Sequence, residues 1–243
     1  GTGAGWVPSS NLSSTYWENI IFGSINASNL SGTFNNCNNT SGGFATTCAG
    51  TFNNCTSIIN FGSTCSGVFN FCKSNAVGYT PCYGFVNSVG SGTFNNCIGT
   101  ATTGGYGGFI SSNATASGVF NNCIGYATTS WGSGNGGGFI GQNGIASGTF
   151  INCSGSNDGI GQTGGFMGDG VTASGAFYNC KALNRTFISS GIASGTFYNC
   201  NGPLSTTTLK GRFINHISSE LSLPALTNSG NATEPACYVN CLD

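Results

Sequence analysis

Ser31-Gly32-Thr33-Phe34-Asn35-Asn36-Cys37 is repeated without change at Ser91–Cys97, and six variants of it follow the same pattern. They run Ala49–Cys55, Ser66–Cys72, Ser117–Cys123, Ser147–Cys153, Ser174–Cys180 and Ser194–Cys200. Each keeps Gly second, Phe fourth and Cys seventh. A self-similar unit of this kind is the mark of a repeat architecture, in which no single unit buries its apolar face until a neighbour stacks on it.

Successive motif cysteines are 18, 17, 25, 26, 30, 27 and 20 residues apart, so a constant unit carries insertions of varying length. A second signature precedes most heptapeptides: Gly42-Gly43-Phe44, Tyr83-Gly84-Phe85, Gly107-Gly108-Phe109, Gly137-Gly138-Phe139 and Gly164-Gly165-Phe166. Phe22, Phe61, Phe187 and Phe213 occupy the same slot without the double glycine. Two short apolar segments separated by Gly, Asn and Ser predict strand, turn and strand, with no room for a helix inside the unit. The expected fold is all-β, a parallel β-solenoid of about eight to nine coils, some 40 Å long at about 4.8 Å per coil.

In such a stack the motif phenylalanines Phe34, Phe52, Phe69, Phe94, Phe120, Phe150, Phe177 and Phe197 form one interior column, and the Gly-Gly-Phe rings form another. Each buried ring contributes roughly 1.5–3 kcal/mol from its area alone. The motif glycine is expected either at a positive-φ corner or where two backbones meet closely. Asn35, Asn53, Asn70, Asn95 and Asn121 are placed to form an amide ladder, as stacked identical strands allow.

Only 5% of the residues are charged and 42 of 243 are Gly, far from an ordinary soluble domain. A formal charge of −1 supplies no basic stripe, so neither nucleic acid nor an anionic membrane surface is an expected partner. No apolar run approaches the roughly 20 residues that span a bilayer. The opening Gly1-Thr2-Gly3-Ala4-Gly5 lacks the basic and apolar stretches of a signal peptide, and is read as the start of a mature chain after signal removal.

Thirteen cysteines beside one His and one Met point to an oxidising compartment, hence to an extracellular or cell-surface location. Eight fill the motif slot, where Cys acts as a small buried residue. Disulfides are expected among Cys37, Cys48, Cys55, Cys65, Cys72 and Cys82, with the pairing open, and Cys237 with Cys241 reads as a terminal staple. The later column of Cys123, Cys153, Cys180 and Cys200 is equally compatible with bonded and free thiols. Zinc is disfavoured because no two cysteines have Cys-x-x-Cys spacing and His216 stands alone, so no metal or other cofactor is expected. Among the Asn-x-Ser/Thr sequons, Asn11, Asn26, Asn29, Asn113, Asn184 and Asn231 are the glycosylation candidates, while Asn54 and Asn152 lie inside the heptapeptide and are expected to be bare.

The run Gly137-Gly138-Phe139-Ile140-Gly141-Gln142-Asn143-Gly144, continued by Ser147-Gly148-Thr149-Phe150-Ile151-Asn152-Cys153, resembles the GLUG-type repeats of bacterial and archaeal surface adhesins. The likeness covers Gly107 to Cys180 best. It implies a parallel β-solenoid on a cell surface or in a secreted assembly. Phe stands here where that family has Leu or Ile.

The domain reading is 1–18 as an N-terminal cap or docking segment, 19–200 as the repeat body and 201–243 as a C-terminal cap or docking segment. Trp6, Tyr16 and Trp17 offer large apolar groups at one end. Phe213, Ile217 and Leu221 follow helical spacing at the other, with Pro224 to stop the helix. An uncapped coil exposes a strand edge that pairs with another chain. The leading expectation is therefore a non-enzymatic subunit of an extracellular filament or surface layer, its partner another copy of itself in a head-to-tail homopolymer. An adhesin or glycan-binding segment is the alternative, with Tyr106, Tyr126 and Trp131 as the aromatic platform and surface polysaccharide as partner. A carbohydrate-active enzyme is the third. It needs paired carboxylates, and only Asp158 and Asp169 lie on the repeat body, where Gly-rich turns account for them.

Overall fold

Each heptapeptide builds one strand and the two corners that bound it. In the first copy the strand is Thr33–Asn35, with Phe34 buried and its neighbours half-buried on the outer face, the period-2 alternation of a pleated strand. Asn36, with φ of 51°, turns the chain in the left-handed region that Asn tolerates, and Cys37 then points inward again. In this computed structural model, which describes residues 16–23, 25, 27–76, 84–102, 107–128, 136–159, 164–205, 207–217, 237–239 and 241, the corner recurs coil after coil. Asn54, Asn96, Asn122, Asn152, Asn179, Asn199 and Asn215 take the same turn, with φ between 51° and 54°.

The strands stack in parallel into a sheet of eleven, a second of nine and a third of eight, with a two-stranded pair of Gly164–Met167 and Thr186–Ile188 beside them. The molecule is a parallel β-solenoid, and there is no helix among the described residues. The eleven-stranded sheet carries the heptapeptides in register, Phe on Phe from Phe34 to Phe213.

Two phenylalanine columns fill the interior. Neighbouring rings of the motif column lie 4.7 to 5.0 Å apart and within 6° of parallel. Those of the second column, from Phe44 to Phe187, lie 4.4 to 5.0 Å apart. Across the columns the rings meet edge to face, as between Phe69 and Phe85 at 5.7 Å and 89°. Rings from Phe44 to Phe150 thus have both stacked neighbours and edge contacts, both favoured aromatic geometries.

The motif glycine is required by close approach. A Cβ on Gly92 would collide with the carbonyl of Gly67 in the preceding coil, and one on Gly118 with that of Gly92. Positive φ belongs instead to the Asn four residues later. The second expected ladder is present: the side-chain amides of Asn53, Asn70, Asn95 and Asn121 each donate to the Oδ1 of the preceding coil's Asn, at 2.7 to 2.9 Å.

The stack is longer than the expected 19–200 body. Tyr16–Glu18 pairs with Thr33–Asn35 and places Trp17 over Phe34. Beyond Cys200, Arg212–Ile214 pairs with Thr196–Tyr198, and Cys237–Val239 pairs with Arg212–Ile214. The eleven-stranded sheet spans about 48 Å, and the sheets of nine and eight strands match the eight to nine coils expected. The helical reading of Phe213, Ile217 and Leu221 is corrected: Phe213 stacks on Phe197 at 4.7 Å within a strand, and Ile217 bridges Asn201 after the corner at Asn215. Leu221 lies outside the described residues. Phe213 faces the core while Ile217, after the corner, is exposed, so the two do not share a face.

Truncating a ring in mid-column removes two stacking partners at once. Phe94→Ala or Phe120→Ala should cost about 3–5 kcal/mol in a urea unfolding experiment. Unchanged midpoints would contradict the stacked core.

Candidate functional site

The inward cysteine slot forms a third continuous column. The thiols of Cys55, Cys72, Cys97, Cys123, Cys153, Cys180 and Cys200 each donate to the Phe carbonyl of the preceding coil at 3.2 to 3.5 Å. Each also reaches the carbonyl two residues back in its own chain, as Cys97 does to Asn95 at 3.4 Å. These cysteines are 0–1% exposed. Burial first, and then hydrogen bonds from the thiols above and below, push Cys72, Cys123 and Cys180 well above the usual thiol range.

The expected disulfides are therefore corrected. Cys37, Cys48, Cys55, Cys65, Cys72 and Cys241 are free thiols. Stacked strands bring the backbones within bonding range, but each thiol is held on the carbonyl of the preceding coil's Phe instead of bonding to its neighbour. Bonding would require two neighbours to turn towards each other and give up their carbonyl contacts. Cys48 and Cys65 stack as a separate pair in the nine-stranded sheet, Cys48 donating to the carbonyl of Phe61 at 3.4 Å. Cys82 lies outside the described residues. The Cys237–Cys241 staple is not formed: Cys237–Val239 pairs in register with Arg212–Ile214, and Cys241 is a free thiol that donates to the carbonyl of Phe213 at 3.5 Å, as a motif cysteine does.

Aligning the coils shows copies that the sequence reading missed, the last of them Cys237–Val239 with Cys241 after it. Lys210-Gly211-Arg212-Phe213-Ile214-Asn215-His216 is a heptapeptide with His in the cysteine slot, and Tyr16-Trp17-Glu18-Asn19-Ile20 is one with Trp for Phe and Ile for Cys. His216 is buried against Phe187 and Phe213, its ring meeting each edge to face. Its Nε2 is 2.9 Å from the Gly202 carbonyl and its Nδ1 has no partner.

The two ends of the stack are alike in cross-section. Trp17 occupies the Phe slot at one end, half-buried and packed edge-on to Phe22 at 6.1 Å, with Asn19 at the positive-φ corner. Tyr238 aligns with Phe213 at the other. Among the described residues no strand pairs with the outer edge of Tyr16–Glu18 or of Cys237–Val239. Tyr16 is exposed beside Trp17. Trp6 lies outside the described residues.

Along the flank, the Asn column of the eleven-stranded sheet ends where Asn121 meets Ile151, and Tyr178 and Tyr198 follow, both exposed, with rings 6.4 Å apart and tilted by 50°. The amide ladder moves to the corner column at the same point, where Asn152, Asn179, Asn199 and Asn215 each donate to the preceding Asn at 2.9 to 3.1 Å. Phe71 is the one phenylalanine outside the columns. It holds a corner at φ 54° that elsewhere carries Asn, and it is 62% exposed. The sequence carried that signal, since Phe takes the sixth slot of Ser66–Cys72. Of the expected aromatic platform, Tyr126 is exposed, and Tyr106 and Trp131 lie outside the described residues.

Asp158 accepts from the Asn184 amide at 2.5 Å, and Asn184 in turn accepts from the backbone N–H of Asn157, so both groups close a turn. Asn113 is an exposed corner and Asn29 is half-buried. The sequons at Asn11, Asn26 and Asn231 lie outside the described residues. No described helix is long and apolar enough to cross a membrane. Comparison with protein-family models, curated proteins and solved structures finds no match to this chain.

Desolvation lowers the pKa of His216, partly offset by its bond to Gly202. The unfolded chain takes up a proton near pH 6.5 that the folded chain resists. Stability from this residue is therefore full above that pH and falls as pH drops below it, by at most about 1.4 kcal/mol per pH unit. His216→Cys, which restores the motif residue, should flatten the decline in urea midpoint between about pH 6.5 and pH 5. An unchanged slope would assign the acid sensitivity to other groups.

Proposed function

We propose that the chain is a non-enzymatic structural subunit of an extracellular filament or surface layer, assembling head to tail through the ends of its coil stack. The observation that carries this reading is the register of the two terminal strands: Tyr16–Glu18 and Cys237–Val239 continue the same sheet in the same slots, and among the described residues no further strand pairs with either. Such an edge is a template for the next strand, and unlike ends joined by translation propagate without closing. The low charge removes the repulsion that would oppose it, and the free carboxylate pair that sugar hydrolysis requires is not assembled by Asp158, which is bonded to Asn184.

Electron microscopy of the unreduced protein should show filaments with an axial repeat near the length of the stack, roughly 50 Å or more. Tyr16→Lys, on an exposed position of the terminal strand, should shorten or abolish them while leaving the circular dichroism spectrum intact, because edge lysines block strand addition. Isolated rods from the unaltered chain would exclude the head-to-tail reading.

A second reading is favoured by the Tyr178 and Tyr198 pair, which replaces Tyr106, Tyr126 and Trp131 as the aromatic platform for a glycan chain. Loss of polysaccharide retention in affinity electrophoresis on Tyr178→Ala with Tyr198→Ala would support it. Equal mobility of the double variant and the unaltered chain would not.

A further inference from the structure

The cationic side chains are not spread evenly along the stack. Of the five Lys and Arg residues, four lie between Lys181 and Arg212, in the coils that carry Tyr178 and Tyr198 and in the one after them. From Thr33 to Ile151 the outward slots of the eleven-stranded sheet hold only Thr, Val, Asn and Ile. Aromatic ring and positive charge therefore enter this flank together, where the first amide ladder ends. A formal charge of −1 describes the whole chain and conceals the separation.

Register fixes where the charges stand. Ala176, Thr196 and Arg212 align in one outward slot, and Tyr178, Tyr198 and Ile214 in the other. Arg212 is thus the diagonal neighbour of Tyr198, two residues across and one coil on, a separation of roughly 7–8 Å that aromatic and long side chains span. Past the Asn179 corner, Lys181 aligns with Ser154 of the coil before and Asn201 of the coil after. Lys181, Lys210 and Arg212 are exposed, and among the described residues none of these three side chains is held in a hydrogen bond or ion pair. Arg185 differs, because its guanidinium donates to the carbonyls of Asn157 and Gly159. Of the described carboxylates, Glu18 lies in the first strand, Asp158 is bonded to Asn184, and Asp169 lies in the turn after Gly164–Met167.

We propose that these coils bind a linear anionic polysaccharide, one bearing carboxylate or sulfate groups, with sugar rings on Tyr178 and Tyr198 and acid groups on Arg212, Lys181 and Lys210. The inference rests on the reading of the tyrosine pair as a glycan platform and adds the charge of the glycan. Aromatic faces pack the C–H side of a sugar, and the exposed amides of Asn179, Asn199 and Asn215 beside them exchange hydrogen bonds with its hydroxyls. Unpaired cations at the border call for acid groups on the same chain, and Arg takes a carboxylate or sulfate through two parallel N–H donors. Single-stranded nucleic acid also joins stacking to cations. The two rings, tilted by 50°, offer angled faces rather than a parallel stack, and their amide border suits sugar hydroxyls better than bases.

Fluorescence anisotropy with end-labelled oligomers tests the assignment. Oligogalacturonate and a sulfated cello-oligosaccharide are the anionic probes, carboxyl-reduced oligogalacturonate is the neutral one, and oligo(dT) is the nucleic acid. At least one anionic sugar should bind the unaltered chain more tightly than the neutral one, and the better of the two identifies the acid group. Its affinity should fall as sodium chloride rises from about 0.01 M to about 0.15 M, which shortens the Debye length from about 30 to about 8 Å. The combined variant Lys181→Ser, Lys210→Ser and Arg212→Thr gives each position the residue of the same slot in the preceding coil. It should bind the anionic sugar about fivefold or more weakly and the neutral one unchanged. If neither anionic sugar outbinds the neutral one, or if the triple variant binds as the unaltered chain does, the charge assignment is overturned and the platform stands. Tighter binding of oligo(dT) than of both anionic sugars would overturn a glycan as the ligand. Anionic binding that survives Tyr178→Ala with Tyr198→Ala, or no binding of any probe, would overturn the platform reading and this inference with it.

Discussion

Everything in this molecule follows from one constraint: each residue of the repeat must be compatible with a copy of itself about 4.8 Å away along the axis. A slot accepts only residue types whose attraction to their own kind exceeds their repulsion. Phe satisfies it by offset stacking, and the rings of Phe94 and Phe120 lie parallel at 4.7 Å. Asn satisfies it by being donor and acceptor at once, so that each amide passes a hydrogen bond to the next. Lys, Arg, Asp and Glu fail it in any long column, because like charges at that distance repel. The scarcity of charge, eleven residues in 243, is thus a property of the architecture rather than of any partner.

The same constraint places the irregularities. A column is free to change residue type only if another takes over its hydrogen bonds. When Ile151 ends the first amide ladder, the corner Asn side chains at Asn122 and Asn152 begin the second in that coil. The outward slot so released is filled by Tyr178 and Tyr198, which are apolar enough to face each other and polar enough to face water. Phe71, alone among the corner residues in lacking an amide, has no such exchange beside it, and a bulky side chain at positive φ carries strain without visible compensation.

The fold was legible because its two marker residues recur at fixed slots: Phe at the fourth and Cys at the seventh identify a coil on sight. Where both markers change, the coil disappears from the sequence but not from the structure. Trp17 and Ile20 replace them at one end, and His216 replaces the cysteine near the other, so both coils were assigned to caps. The Asn ladder was legible from the residue itself. The choice between positive φ and close approach for the motif glycine was not, since both exclude a Cβ, and only the position of the preceding coil's carbonyl decides it. The disulfides were misjudged for a similar reason. Spacing speaks of backbones, and the sulfurs are set by rotamers held on the Phe carbonyls.

Among the described residues the terminal strands are matched on one face alone. Trp17 holds the Phe slot and the Asn19 corner keeps the turn at one end, and Cys237–Val239 keeps the register of the sheet at the other, so each terminal strand is a repeat with altered residues rather than a different structure. A dedicated cap would break the slot pattern with charge, with Pro or with a helix laid across the ring faces. The described terminal strands do none of these. The outermost described strands therefore keep the slots of the strands they stack on, and the constraint that orders the interior holds as far as the sheet runs.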